Sequence, residues 1–207
     1  MSAHPVHPGI AAGGPDHAHM SPAQAYGAAK LGIWCFLATE VLLFGGLFTV
    51  YIVYRLKYPQ MFHEDHEHLD RVLGAVNTVI LICSSMTVAL AIAAVRNGKQ
   101  RLLRTFLLLT ILLAGAFLAV KYFEWSEKFS HGFSPSTDLF FSLYFVMTGL
   151  HGLHVLGGIA ILCAVFVLAG RGRFTEHSYT PVEISGLYWH FVDLVWIYLF
   201  PLFYLIG

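Results

Sequence analysis

The sequence predicts an all-α, polytopic membrane protein, a bundle of five transmembrane helices, and three observations carry that reading. Of 207 residues 57% are hydrophobic and only 12% charged, where a soluble domain carries roughly a quarter charged residues. Five apolar runs are each long enough to cross a hydrocarbon layer about 30 Å thick at about 1.5 Å rise per residue. The ten-residue alternation that would build a membrane barrel does not occur, and lipid-facing backbone must be satisfied inside a helix or a closed barrel.

The runs fall at about 31–54, 72–95, 102–123, 139–169 and 184–206, separated by charged or Gly/Pro-containing segments. The fourth is longer than a bilayer needs, so it tilts or projects. Residues 1–28 are rich in His, Pro, Gly and Ala, a mixture too poor in large apolar groups to form a core. They are expected as a flexible cytoplasmic tail before a transmembrane domain at 29–207. With no Lys or Arg before Lys30 and no compact apolar h-region, this tail does not resemble a secretory signal. The first span then serves as the insertion signal, and no soluble domain is expected on either face.

Basic and acidic residues cancel at 12 each, which argues against a nucleic-acid partner. Cys35, Cys83 and Cys163 all lie in apolar runs without metal-type spacing, and read as packing residues rather than a disulfide framework or a zinc site. Orientation follows from the basic residues of the connections. Lys30, Arg96, Lys99, Arg101, Arg104, Arg171 and Arg173 fall on one side; Arg55, Lys57, Arg71, Lys121 and Lys128 fall on the other. The larger group is assigned to the cytoplasm, which puts the N-terminus inside and the C-terminus outside.

Ionisable groups at membrane depth cost a few kcal/mol on insertion scales and are candidates for function or interfaces. Glu40 lies among Leu37, Val41, Leu42 and Phe44 with no basic residue within a helical turn. Three readings stay open for it: a carboxyl pinning one helix to another, lipid-headgroup contact, or proton handling. His151 and His154 stand three residues apart on one helical face among small residues, and His190 and Asp193 repeat the spacing. Inter-helix or subunit hydrogen bonding is the expected role. Helical bundles also hold iron or zinc with such spacing, but three deep imidazoles are too few for a bis-histidine haem together with a copper centre. The segment 122–131 reads as a membrane interface from which the acids depart. His63, His66 and His68, mixed with acids, read as solvated loop, with adventitious metal binding or proton buffering as the alternative.

These residues resemble subunit III of the haem-copper respiratory oxidases, with motifs in all five spans. The first carries Ala38-Thr39-Glu40-Val41-Leu42-Leu43-Phe44, like the family's Ser/Thr-Glu followed by bulky apolar residues, and the second carries Asn77-Thr78-Val79-Ile80-Leu81 with Ser84-Ser85. The third closes on Tyr122-Phe123-Glu124-Trp125-Ser126-Glu127, and the fourth has Thr148-Gly149-Leu150-His151-Gly152-Leu153-His154. The fifth, Tyr188-Trp189-His190-Phe191-Val192-Asp193-Leu194-Val195-Trp196, differs from the family's motif by a single Leu for Val. Seven-helix members have two more helices ahead of the embedded acid; this sequence resembles the five-helix bacterial form, so any lipid cleft carried over lacks one wall.

The resemblance implies a five-helix bundle of the cytochrome c oxidase subunit III type in a bacterial cytoplasmic membrane. It implies an accessory subunit of a proton-pumping oxidase that passes electrons from cytochrome c to oxygen, not itself catalytic. No cofactor is expected on this chain; haem and copper belong to partner subunits, and phospholipid is an expected ligand. Partners are oxidase subunit I directly, subunit II and a small subunit IV. Glu40, His151, His154, His190 and Asp193 match the family's embedded polar positions, as lipid or subunit-interface residues with no catalytic or metal role. Subunit III of a quinol oxidase is the nearest alternative, and a free-standing proton channel or transporter a remote one.

Overall fold

A computed structural model describes residues 22–67 and 69–206. Residues 1–21, which make up most of the expected tail, lie outside the described residues, as does His68. Five long helices and one short one follow in order: α1 (Pro22–Lys57), α2 (Pro59–His66), α3 (Arg71–Arg96), α4 (Gln100–Ser130), α5 (Leu139–Gly170) and α6 (Thr180–Phe200), which runs into a π-helical turn at Pro201–Leu205. All but α2 are long and apolar enough to cross a membrane.

α1 and α4 outrun the expected spans, whereas α3 and α5 match theirs to within a residue at each end. Residues 22–28, read as tail, form the opening turns of α1. With 36 residues this helix is about 54 Å long, well beyond the hydrocarbon thickness. Pro22 suits a helix start, where an N–H would lack a partner anyway. The segment around His63 and His66 is not solvated loop. It forms α2, docked by Phe62, which is fully buried, and by His66. His66 Nδ1 lies 2.7 Å from the His63 carbonyl, and Arg71 reaches its Nε2 at 3.0 Å. Asp70 caps α3, accepting from the Val72 and Leu73 amides at 2.8 and 3.1 Å.

α3 and α4 form an antiparallel hairpin closed at Gly98, whose φ of 66° lies in the left-handed region that glycine enters without a Cβ penalty. α6 is the hub, packed against α1, α3 and α5, and α1 is the least buried helix. Contact between α5 and α6 depends on Gly158: a Cβ there would stand 2.6 Å from the Trp189 ring. At the face where α1 ends, Tyr51, Phe62, Phe140 and Phe203 join edge to face, with centroids 4.9–5.8 Å apart. At the opposite face Glu183 gathers Tyr26 at 3.1 Å, Arg96 at 3.2 Å and Lys30 at 3.5 Å, which ties the ends of α1, α3 and α6 together.

Candidate functional site

The polar groups inside the bundle separate into three arrangements. The first joins α1 to α5. Glu40, halfway along α1, meets His154, halfway along α5, with His154 Nε2 3.0 Å from Glu40 Oε2. His154 Nδ1 lies 2.8 Å from the Leu150 carbonyl. A carbonyl only accepts, so Nδ1 carries a hydrogen, and the Nε2–Oε2 contact then needs one proton, held by the imidazole or by the carboxyl. The sequence showed Glu40 without a basic neighbour; its partner is 114 residues away. Both side chains are about 13–15% exposed, so the pair is mostly buried between α1 and α5 with an edge open at the bundle surface.

The second arrangement lies on α3 and α6. His190 Nδ1 is 2.6 Å from the Ser85 hydroxyl. Asp193 sits one helical turn further along and is only 3% exposed, and neither of its carboxyl oxygens has a hydrogen-bond partner among the described residues. Ser85, His190 and Asp193 line one crevice of about 270 Å³. His151 belongs to neither arrangement. It turns into the core between Phe117 and Trp196, at ring-centroid distances of 5.6 and 5.4 Å, with no hydrogen-bond partner on either nitrogen among the described residues. The His151–His154 spacing therefore sends two imidazoles to different neighbours.

The third arrangement escaped the sequence reading. Lys121 and Glu124 were read as interface or loop charges, yet Glu124 is fully buried and Lys121 nearly so. Lys121 Nζ donates to Glu124 Oε2 at 3.0 Å, to Tyr144 Oη at 3.2 Å and to Tyr204 Oη at 2.6 Å. Tyr144 donates to Glu124 Oε1 at 2.7 Å, and Tyr204 donates to the same oxygen. All three ammonium hydrogens thus have acceptors, and Nζ lies 4.8 Å above the Trp196 ring. Tyr204 lies in the π-helical turn Pro201–Leu205, closed by the Ile206 amide on the Pro201 carbonyl at 3.0 Å, and is fully buried there. A signal was present: the buried residues of α4 run Leu103, Leu107, Thr110, Ala114, Phe117, Lys121, Glu124, Lys128. That alternation of four and three continues unbroken through the charges.

With Lys121 and Lys128 buried in the bundle, neither is a loop charge. The basic residues of the connections then divide seven against three, the five on the second side less these two.

The motif-bearing residues of all five spans thus lie on helices of one bundle, and the model of the family described as cytochrome c oxidase subunit III matches residues 14–207. The chain belongs to that family. The cytochrome c oxidase subunit 3 of Synechocystis sp. is 36% identical over 90% of this chain and 82% of its own length. That of Thermostichus vulcanus is 34% identical over 92% of each. A probable quinol oxidase subunit 3 of Staphylococcus haemolyticus is also 34% identical, over 86% of this chain and 89% of its own. The chain is therefore subunit III of a haem-copper oxidase, a multi-pass membrane protein, and membership of the family implies a complex with other oxidase subunits.

Proposed function

We propose that this subunit III serves a proton-pumping oxidase that takes electrons from cytochrome c, and that it stabilises the catalytic subunit, binds phospholipid and supports proton uptake without a redox centre of its own. The observation that carries the accessory role is the fate of the deep imidazoles. His154 is taken by Glu40 and the Leu150 carbonyl, His190 by Ser85, and His151 is enclosed by rings. Three imidazoles with separate neighbours do not make a shared ligand set for haem or copper. Those groups are assigned to partner subunits I and II, with a small subunit IV completing the complex.

Glu40 with His154 is the proposed lipid-facing site: a partly exposed pair at mid-depth, on the helix least covered by the rest of the bundle. The seven-to-three division of loop charges supports an N-terminus in the cytoplasm of a bacterial inner membrane. The residues 1–28 would then lie on the proton-uptake side.

A tag on this chain, purification in mild detergent and oxygen uptake with reduced cytochrome c or with a quinol test the assignment. Turnover with cytochrome c and a copurifying two-copper subunit II are expected. Turnover with quinol alone would make the chain subunit III of a quinol oxidase, the reading that the Staphylococcus relative favours. A polypeptide isolated without companions yet carrying its own pigment, or passing protons by itself in liposomes, would overturn the accessory role. Glu40→Ala is expected to lower bound phospholipid and shorten the turnover lifetime of the oxidase; if both are unchanged, Glu40 is a packing residue.

A further inference from the structure

Two of the three polar arrangements are complete within this chain, and the one on α3 and α6 is not. The Lys121 cluster uses every ammonium hydrogen, and Glu40 has His154. Asp193 is 97% buried by this chain's own atoms, yet both carboxyl oxygens lack a donor among the described residues. Ser85, the hydroxyl beside it, also meets His190 at 2.6 Å and has one hydrogen, so at best it serves one of the two carboxyl oxygens and leaves the other without a donor among the described residues. A buried carboxyl without a donor is costly, and more so with no bulk water beside it.

The surroundings specify what supplies the donor. Asp193, Ser85 and His190 form the polar floor of the crevice of about 270 Å³ between α3 and α6. Ile82, Leu194 and Ile197 stand around it, each about half exposed. Ser85 and Asp193 both lie about 20 Å from the start of their helices, so the crevice opens at mid-membrane, where lipid offers acyl chains and no donors. An apolar rim with an acceptor floor is complementary to a helix that carries apolar side chains and one hydrogen-bond donor.

We infer that the α3–α6 crevice is the docking slot for a transmembrane helix of another oxidase subunit, which inserts a donor side chain onto Asp193. This deepens the proposed accessory role and rests on it. It assigns one face of the bundle to protein and leaves the Glu40–His154 face to lipid.

The test uses the intact oxidase in its native membrane. A photo-crosslinking residue, benzoylphenylalanine, replaces Ile197 or Ile82 beside the crevice, and Leu112 or Leu153 on the α4–α5 side as controls, all four being exposed. Expected are adducts with one other oxidase subunit from Ile197 and Ile82, and none from Leu112 or Leu153. Adducts from the control positions alone, with the chain still copurifying, would overturn the slot and leave the accessory role intact. Absence of every adduct together with loss of copurification would instead sink the accessory role. Asp193→Leu is expected to lower retention of the chain in the detergent-purified complex about tenfold, equal to about 1.4 kcal/mol, while Asp193→Asn, which keeps an acceptor oxygen, retains it. Equal retention of both variants would mean that Asp193 meets water only, and would overturn the inference.

Discussion

The Lys121 cluster and the polar groups at mid-depth hold similar side chains and solve burial differently. Around Lys121, one cation, one carboxyl and two phenols satisfy each other completely, drawn from α4, α5 and the turn after α6. His151 and Asp193 at mid-depth, and Asn77 nearer the start of α3, are buried too, yet none has a hydrogen-bond partner among the described residues. Charge burial is thus no guide to function by itself. A saturated cluster fixes helices against each other, whereas Asp193, buried without a partner on the floor of an open crevice, is left for whatever completes it.

The sharpest break in that comparison comes from Lys121→Met. It leaves Glu124 fully buried with two phenol donors and without its ion-pair partner, and removing one partner of a buried pair costs about 3–5 kcal/mol. The chain is expected to be largely lost from thermally challenged oxidase, as followed by its dissociation in a melt of the purified complex. Adding Glu124→Leu in the same chain is expected to recover most of the loss, because replacing both members of a buried pair by apolar groups is often neutral. A double variant as unstable as the single one would show that the cluster serves something other than mutual neutralisation.

Tyr204→Phe removes one donor to Glu124 Oε1 and one acceptor of Lys121 while keeping the ring. Hydrogen bonds to charged groups contribute about 1.5–3 kcal/mol, and the same melt should shift by an intermediate amount. Since Tyr204 is held by the turn at Pro201, a shift as large as that of Lys121→Met would mean that the turn, not the hydroxyl, is what the variant disturbs.

What was legible in the sequence follows the same division. Hydropathy located all five spans, because an uninterrupted apolar run is a local property of the chain. It set the ends of α3 and α5 to within a residue but fell short where charges began: the third span is expected to close at 123, whereas α4 runs to Ser130 and its buried stripe continues through Glu124 to Lys128. α2 was invisible to hydropathy, being short and polar, and is held by Phe62 entering an aromatic cluster built from three other segments. Of the candidate residues, Glu40, His154, His190 and Asp193 were identifiable by depth alone. Their partners were not. Glu40 and His154 are separated by 114 residues and Ser85 and His190 by 105, and no spacing rule on one helix reaches that far.

A smaller effect is expected at Thr87, whose hydroxyl meets that of Thr110 at 2.8 Å across the α3–α4 hairpin. Each hydroxyl also lies 2.8 Å from a backbone carbonyl, of Ser84 and Phe106, so two hydrogens serve three contacts and the hydroxyl–hydroxyl link forms only when one of them leaves its carbonyl. Thr87→Val therefore removes at most one link between the helices, and inter-helix hydrogen bonds in membranes average about 0.6 kcal/mol. A shift near the resolution of the melt is expected. A shift comparable to that of Tyr204→Phe would place a second essential polar tie in the hairpin.

Asn77→Leu bears most directly on the comparison and has the smallest expected effect. Asn77 is fully buried, and neither amide atom has a partner among the described residues. Leucine matches the amide in shape without its polar atoms, and exchanging an unsatisfied polar group for an apolar one is neutral or stabilising. If the purified oxidase with Asn77→Leu melts unchanged or higher, Asn77 is unpartnered in the assembly as well. A loss of about 1–3 kcal/mol, the cost of stranding a buried partner, would instead mean that its amide is engaged in the complex. Asn77 would then stand with Asp193, as a polar group that this chain leaves for its neighbours to complete.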